Sequence, residues 1–193
     1  MKKTKKIQYN APVVLTFAAI SLGALILNYI TFGKSNNLLF SVYRSSPANP
    51  LTYVRFFTHV LGHADASHYF SNMMLFLLLG PIIEEKYGSK TTLAIIATTA
   101  FITGLLSWLI FPHNALLGAS GVVFCFIILS SMTRLESGRI PLTLILVCVL
   151  YLGQEVFNAL FVNDNISQFA HIIGGICGCV MGIAFDKTGK NKK

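Results

Sequence analysis

The chain has 193 residues, of which 54% are hydrophobic and 11% are charged, and its mean hydropathy is +0.66. A soluble domain carries about 25% charged residues, so this composition predicts a membrane protein and excludes an ordinary soluble enzyme. The formal net charge is +8, but the lysines cluster at the two chain ends. That distribution indicates a membrane topology signal and does not indicate binding to nucleic acid.

Six apolar segments are predicted to cross the membrane. A helix needs about 20 apolar residues for one crossing. The segments are residues 11–30, 68–83, 91–111, 118–132, 140–160 and 169–185. The second, fourth and sixth are short, which is tolerated where helix ends line a wet cavity or are buried in protein. The predicted domains are a basic tail (1–10), a membrane domain (11–186) and a second basic tail (187–193). The predicted fold is an all-α, six-helix membrane bundle with a long first outer loop.

Basic residues predict the orientation of the six segments. The two tails carry Lys2, Lys3, Lys5 and Lys6, then Lys187, Lys190, Lys192 and Lys193. The turns on the same side would carry Lys86, Lys90, Arg134 and Arg139, and the opposite side Lys34, Arg44 and Arg55. The positive-inside rule therefore places both termini in the cytoplasm. We interpret the first apolar segment as a retained span, because it is long for a signal peptide and no clear cleavage site follows it.

The longest segment between predicted spans, residues 31–67, mixes aromatic and polar residues. A fully solvated loop does not need so many aromatic rings, and such rings settle at the membrane–water boundary. We expect this loop to lie half buried in the outer interface. The four cysteines (Cys125, Cys148, Cys177 and Cys179) all lie in apolar runs and are interpreted as small packing residues.

Polar residues inside the spans are expensive and need a partner or a function. His68 and Asn72 are one helical turn apart and share a face, which also fits a hydrogen-bonded helix pair. Together with His59 and His63, His68 raises a metal site as a weaker alternative; none is predicted. His171 begins a stripe with Gly174, Gly178 and Gly182, a spacing that lets another helix approach closely. Taken alone, that stripe is explained as well by helix packing with a structural histidine as by a functional histidine.

Ser120 supplies the second half of a possible catalytic pair. Gly118 and Gly121 flank it, so the backbone can turn sharply and a second backbone can approach. If the glycine stripe packs on this segment, His171 approaches Ser120, and a neutral imidazole can take the serine proton. His68, Asn72 and the Ser120 amide can donate to an oxyanion. No acid is well placed to orient the histidine, which favours a Ser-His dyad over a triad.

At these residues the chain resembles the rhomboid family of intramembrane serine proteases. The resemblance covers essentially all six spans and is carried by motifs in the family's order. They are Gly118-Ala119-Ser120-Gly121, then His63-x4-His68-x3-Asn72, His171-x2-Gly174-x3-Gly178, and Arg55 with His59. By this resemblance we expect the family's minimal six-span form, as in bacteria.

The resemblance implies a role for each matching residue. Ser120 would be the nucleophile and His171 the general base and acid, with His68, Asn72 and the Ser120 amide as the oxyanion hole. Transmembrane substrates would reach the site laterally past the fifth span and be cut near the outer membrane face, in a cytoplasmic membrane and without a cofactor. Two positions depart from the family pattern: Lys86 stands where arginine is frequent, and Phe124 where tyrosine is common. Phe124 can still stack on His171.

Two other functions compete with proteolysis. A catalytically inactive rhomboid-like binding or chaperone module normally lacks the serine or the histidine, and both are present here. A small transporter would spread polar residues along a path and show repeat symmetry between its halves. Here the polar residues collect near one end of the second, fourth and sixth spans, which favours the protease. The sequence does not predict a substrate or an oligomeric state.

Overall fold

The computed structural model describes residues 8–132, 142–153, 157 and 165–190, and this part of the chain is helical without strands. The helices are α1 (Pro12–Ile30), α2 (Pro50–Thr58), α3 (Ala66–Tyr87), α4 (Ser89–Ile110), α5 (Ser120–Ser131), α6 (Leu142–Val147) and α7 (Asn165–Lys190). A π-helical turn, Cys148–Leu152, continues α6, and a 3₁₀ turn, His59–Leu61, follows α2. The predicted all-α membrane class is confirmed.

Four of the described helices are long and apolar enough to cross a membrane: α1, α3, α4 and the Gln168–Phe185 part of α7. The prediction of a short second span is wrong, because α3 has 22 residues. Capping residues determine where α3 begins and ends, and the hydropathy of its sequence does not. The Asp65 side chain accepts a hydrogen bond from the His68 amide at the start, and Gly88 (φ +80°) ends the helix. The apolar part of α7, Gln168–Phe185, agrees with the predicted sixth span at 169–185 to within one residue and lies inside a helix of 26 residues. The fourth is short as expected, with 12 residues in α5.

The count of six spans stays a prediction. The predicted inner turn at 134–141 lies outside the described residues, as does much of the fifth span and, apart from Asn165, the outer loop at 163–165. The orientation of α5 and α7 nevertheless bears on this count. Gly121 faces Gly174 and Cys125 faces Gly178, so the two helices are neighbours that run parallel. The chain between them must therefore return from one end of the bundle to the other.

A buried carboxylate joins three helix ends at one end of the bundle. Glu84 near the end of α3 accepts hydrogen bonds from the Val13 and Val14 amides of α1, at 3.0 and 3.1 Å. The Ser89 hydroxyl, at the start of α4, donates to the same carboxylate at 2.7 Å. We call this the basic end, because Lys86 and Lys90 lie in this turn. The opposite end, where α5 and α7 begin, is called the site end.

Helix α5 lies in the core of the bundle. Its residues from Gly121 to Leu129 are buried apart from Phe124, as expected for a helix that is apolar all round. Phe126 stacks on Phe76 of α3 with ring centroids 5.3 Å apart, and Phe76 contacts Phe17 of α1 at 4.6 Å. These aromatic contacts connect α1, α3 and α5 through the middle of the bundle.

The loop between α1 and α3 is partly buried, as the sequence indicated. Phe56 is 3% exposed, whereas Phe32 is 94% exposed. Arg44 holds the loop to the end of α4: its guanidinium lies 4.4 Å from the centre of the Trp108 ring and donates to the Trp108 carbonyl at 2.9 Å. The Trp108 indole in turn donates to the Ser45 carbonyl. The placement of this loop in the membrane interface stays a prediction.

Candidate active site

Ser120 is the first residue of α5 and lies at the end of a well-anchored loop. Leu116 forms a two-way backbone pair with Val42, with both N···O distances at 2.8 Å. Two residues later the Gly118 amide donates to the His59 carbonyl at 2.9 Å. Gly118 has φ +122°, a conformation that favours glycine. The loop thus delivers Ser120 at a helix start, where its amide has no acceptor within the helix.

His68 and Asn72 of α3 both face this loop. A Cβ placed on Gly118 would lie 2.7 Å from His68 Nε2 and 3.7 Å from Asn72 Nδ2. A Cβ at position 118 would therefore push the His68 imidazole away, whereas the Asn72 amide lies at an ordinary contact distance. Asn72 is fixed on its own helix, where its amide donates to the His68 carbonyl at 3.1 Å. Two N–H groups predicted to bind an oxyanion are thereby directed at the backbone just before Ser120.

Glycines bring α7 against α5, in the most extensive helix contact of the described chain. A Cβ on Gly174 would overlap the carbonyl oxygen of Gly121. A Cβ on Gly178 would lie 2.6 Å from the Cys125 carbonyl oxygen, one turn further along. The stripe predicted from sequence is therefore a helix interface, and its partner is the helix that carries Ser120.

His171 lies at the site end of that interface. Its ring stacks on Phe124 with centroids 4.4 Å apart and planes 6° from parallel, which is the contact expected from the sequence. Phe124 is one turn after Ser120, so His171 faces the same side of α5 as the serine. His171 is also close enough to His68 for their charges to interact. The proposed catalytic residues therefore all lie at the site end of the bundle: Ser120, His171, His68 and Asn72.

Two further histidines support the site from the loop side. Both are buried, and burial lowers the pKa of each to about 4, so that they are neutral near pH 7. His59 Nδ1 donates to the Arg55 carbonyl at 3.1 Å, and its Nε2 lies 3.3 Å from the Thr103 hydroxyl on α4. His63 packs edge-on against His68, with centroids 5.1 Å apart.

The described residues include no group of three or more His, Cys, Asp or Glu side chains arranged to hold a metal ion. The histidines near the site instead contact one another, backbone carbonyls and aromatic rings.

Sequence reasoning missed the way His59 acts through its backbone. Its carbonyl holds the Gly118 amide, and a backbone acceptor leaves no mark in the amino-acid sequence. A weak signal was available in Gly104 of α4, where a Cβ would come within 2.9 Å of the Phe56 backbone and 3.2 Å of the His59 ring. A glycine in the middle of an apolar helix often marks such close packing.

The departure at Lys86 does not remove the contacts at the basic end. Glu84, two residues earlier, is 4% exposed and accepts three hydrogen bonds from α1 and α4. A carboxylate that accepts from backbone amides at a helix start is favourable both as a cap and through the helix dipole.

These features define a class: a helical membrane protein with a serine and a histidine on adjoining helices. Comparison with known proteins gives the family. Residues 50–187 match the family model of the Rhomboid domain. Since this match covers more than half of the chain, the protein belongs to the Rhomboid family, whose members are generally intramembrane serine proteases.

Curated relatives agree with this assignment. The chain is 26% identical to Rhomboid-like protein 11, chloroplastic, of Arabidopsis thaliana, over 94% of this chain and 60% of that protein. It is 29% identical to Rhomboid-related protein 2 of Mus musculus, over 92% of this chain and 67% of that protein. It is 26% identical to Rhomboid protease GlpG of Haemophilus influenzae, over 71% of this chain and 72% of that protein. The chain thus spans about 60% of the Arabidopsis relative's length.

Proposed function

We propose that this protein is an intramembrane serine endopeptidase that cuts transmembrane segments with a Ser120–His171 dyad. The observation that carries the proposal is the convergence at the site end. Gly118, two residues before Ser120, lies against His68 and Asn72, and the glycine interface with α7 brings His171 onto Phe124, one turn after Ser120. Membership of the Rhomboid family supports the same chemistry.

In the first half of the reaction His171 takes the proton of the Ser120 hydroxyl as the oxygen attacks the scissile carbonyl carbon. The carbonyl oxygen becomes an oxyanion. His68, Asn72 and the Ser120 amide donate hydrogen bonds to it, and each such donor is worth about 3 kcal/mol of barrier. His171 then gives its proton to the leaving amine, and the C–N bond breaks to leave an acyl-enzyme on Ser120.

In the second half water attacks the acyl carbon while His171 accepts its proton. The ester bond to Ser120 breaks, the serine oxygen regains a proton from His171, and the new carboxylate leaves. The stack on Phe124 keeps the imidazole in one orientation through both proton transfers. A peptide bond within a helix is shielded by its neighbours, so a substrate helix must unwind locally before Ser120 reaches it.

The substrates are transmembrane helices that reach the site from the bilayer. Helix α6 and its π-helical continuation expose a run of large apolar side chains, which supports a loosely packed lateral passage at the fifth span. With basic tails in the cytoplasm, the site end opens to the outer face of the cytoplasmic membrane.

The test is cleavage of a panel of model transmembrane substrates in proteoliposomes by wild type, Ser120→Ala and His171→Ala. We expect cutting by wild type alone. Cutting by Ser120→Ala would contradict the dyad. A folded wild type that cuts none of the panel would instead favour a non-catalytic, membrane-protein-binding member of the family.

A further inference from the structure

A deep apolar groove runs along the bundle between α1 and α4, away from the active site. Its volume is about 530 Å³, and the loop between α1 and α3 covers it toward the site end. Side chains that line it include Phe17, Ile20, Leu61, Leu93, Ile96 and Ala97. None of the described residues that line it is charged. We propose that this groove binds one acyl chain of an anionic phospholipid, with the head group at the basic end beside Lys90.

The length of the groove fits a single lipid leaflet. Along α4 its lining extends from Ser89 to Ala100, which at the rise of an α-helix is roughly 17 Å. Half of the hydrocarbon core of a bilayer is about 15 Å. An acyl chain of the leaflet at the basic end therefore spans the groove from Pro12 and Ser89 up to the covering loop at Leu61.

The surroundings of the groove favour a hydrocarbon chain over water as its occupant. The groove opens between α1 and α4, two helices long and apolar enough to cross a membrane, so the bilayer is its solvent. Water is a poor occupant of a site with apolar walls. An unfilled groove would forfeit the dispersion contacts of all the side chains along it. A flexible acyl chain restores those contacts.

Charge at the basic end favours an anionic head group. Lys90 is exposed and directly follows Ser89, which lines the groove; its own side chain borders the neighbouring pocket between α4 and α7 at the same end of the bundle. Lys2, Lys3, Lys5 and Lys6 precede α1 in the sequence. Glu84 is buried and bonded to α1 and α4, which leaves Glu85 as the exposed acid of this turn. Basic clusters next to a membrane span attract anionic lipids by about 1 kcal/mol per residue.

Photo-labelling tests the proposal on the intact protein. Wild type is reconstituted in phosphatidylcholine vesicles containing a small fraction of phosphatidylglycerol with a photoreactive group in its acyl chain, and the labelled peptides are mapped. We expect label to concentrate on the groove faces of α1 and α4, well above the exposed face of α3 at Leu77 and Leu78. Even labelling of all exposed helices, or a cross-link to a second copy of this chain in the groove, would overturn the proposal.

Two matched variants sharpen the result. Ala97→Phe fills the groove and is expected to abolish the groove label, while Ala19→Phe, on an exposed position of α1 outside the groove, is expected to retain it. Lys90→Gln is expected to lower the preference for phosphatidylglycerol over an equally photoreactive phosphatidylcholine by about fivefold. Retained groove label in Ala97→Phe would overturn the acyl-chain site, and equal labelling by both lipids in wild type would overturn the head-group assignment. None of these readouts depends on proteolysis.

Discussion

The imidazole of His171 lies flat on the ring of Phe124, with centroids 4.4 Å apart and planes 6° from parallel. Phe124 follows Ser120 by one helical turn, so this stack fixes the histidine on the serine's side of α5. The phenylalanine thereby acts as a positioning residue for the proposed base. It does so through ring contact, without a hydroxyl.

Substitutions at Phe124 test this positioning. Phe124→Tyr keeps the ring and is expected to retain proteolytic activity. Phe124→Ala removes the stack, which is worth about 0.5–1.5 kcal/mol, and is expected to lower kcat by roughly two- to tenfold. Cleavage kinetics on one model substrate measure both. Complete loss of activity in Phe124→Tyr would show that the contact has been misread.

The glycine interface between α5 and α7 is expected to tolerate no side chain. Gly174→Ala would drive a Cβ into the Gly121 backbone and is expected to cost about 1–3 kcal/mol or more of unfolding free energy. Gly23→Ala on α1 is the matched control, because a Cβ there meets nothing within 4 Å. That control is expected to be neutral or slightly stabilising. Unfolding in mixed detergent micelles compares the two, and equal stability would contradict the close approach.

The Glu84 carboxylate is expected to be a major stabilising group at the basic end. Glu84→Ala leaves the Val13 and Val14 amides and the Ser89 hydroxyl without their acceptor, at a cost of about 1–3 kcal/mol. Glu85→Ala removes an exposed acid from the same turn and is expected to change stability by less than about 0.5 kcal/mol. The same unfolding assay distinguishes them. A Glu84→Ala protein as stable as Glu85→Ala would show that the helix ends do not depend on this carboxylate.

Buried histidines predict a loss of stability in acid. Burial lowers the pKa of His59 from 6.5 to about 4 in the folded protein, so between these values the unfolded chain binds more protons. The free energy of unfolding is therefore expected to be constant above about pH 6.5 and to fall toward pH 4, by about 3 kcal/mol for one such imidazole.

Thermal unfolding at pH 7 and pH 4.5 measures this dependence. Wild type and His113→Gln, which alters an exposed histidine, are expected to lose the same amount of stability on acidification. His59→Gln is expected to be less stable at pH 7 but to lose less on acidification. An equally steep loss in His59→Gln would show that another group is responsible.

Much of this architecture was predictable because membrane spans and glycine spacing obey simple periodic rules. The α1 boundaries and the α5–α7 interface follow from hydropathy and from glycines spaced four residues apart. Helix α3 was predicted too short, since the Asp65 cap begins it among polar residues that hydropathy rejects. The catalytic roles of Ser120, His171, His68 and Asn72 stay predictions.

Contacts made by the backbone could not be predicted from the sequence. The bond from Gly118 to the His59 carbonyl and the pair between Val42 and Leu116 join segments far apart in the chain. Neither requires a particular side chain at the acceptor position. The sequence contained Glu84, but its use as a cap for α1 depends on how α1 and α3 pack, which hydropathy does not specify.

Labelling with a fluorophosphonate is the most direct measurement of the central claim, because it reports an activated serine without a substrate. Wild type is reacted in proteoliposomes beside Ser120→Ala, His171→Ala and the control Ser131→Ala, at the far end of α5. The account predicts a covalent adduct on Ser120 in wild type and Ser131→Ala, none in Ser120→Ala, and a severe loss of labelling rate in His171→Ala. An unlabelled folded wild type, or equal labelling after His171→Ala, would contradict it.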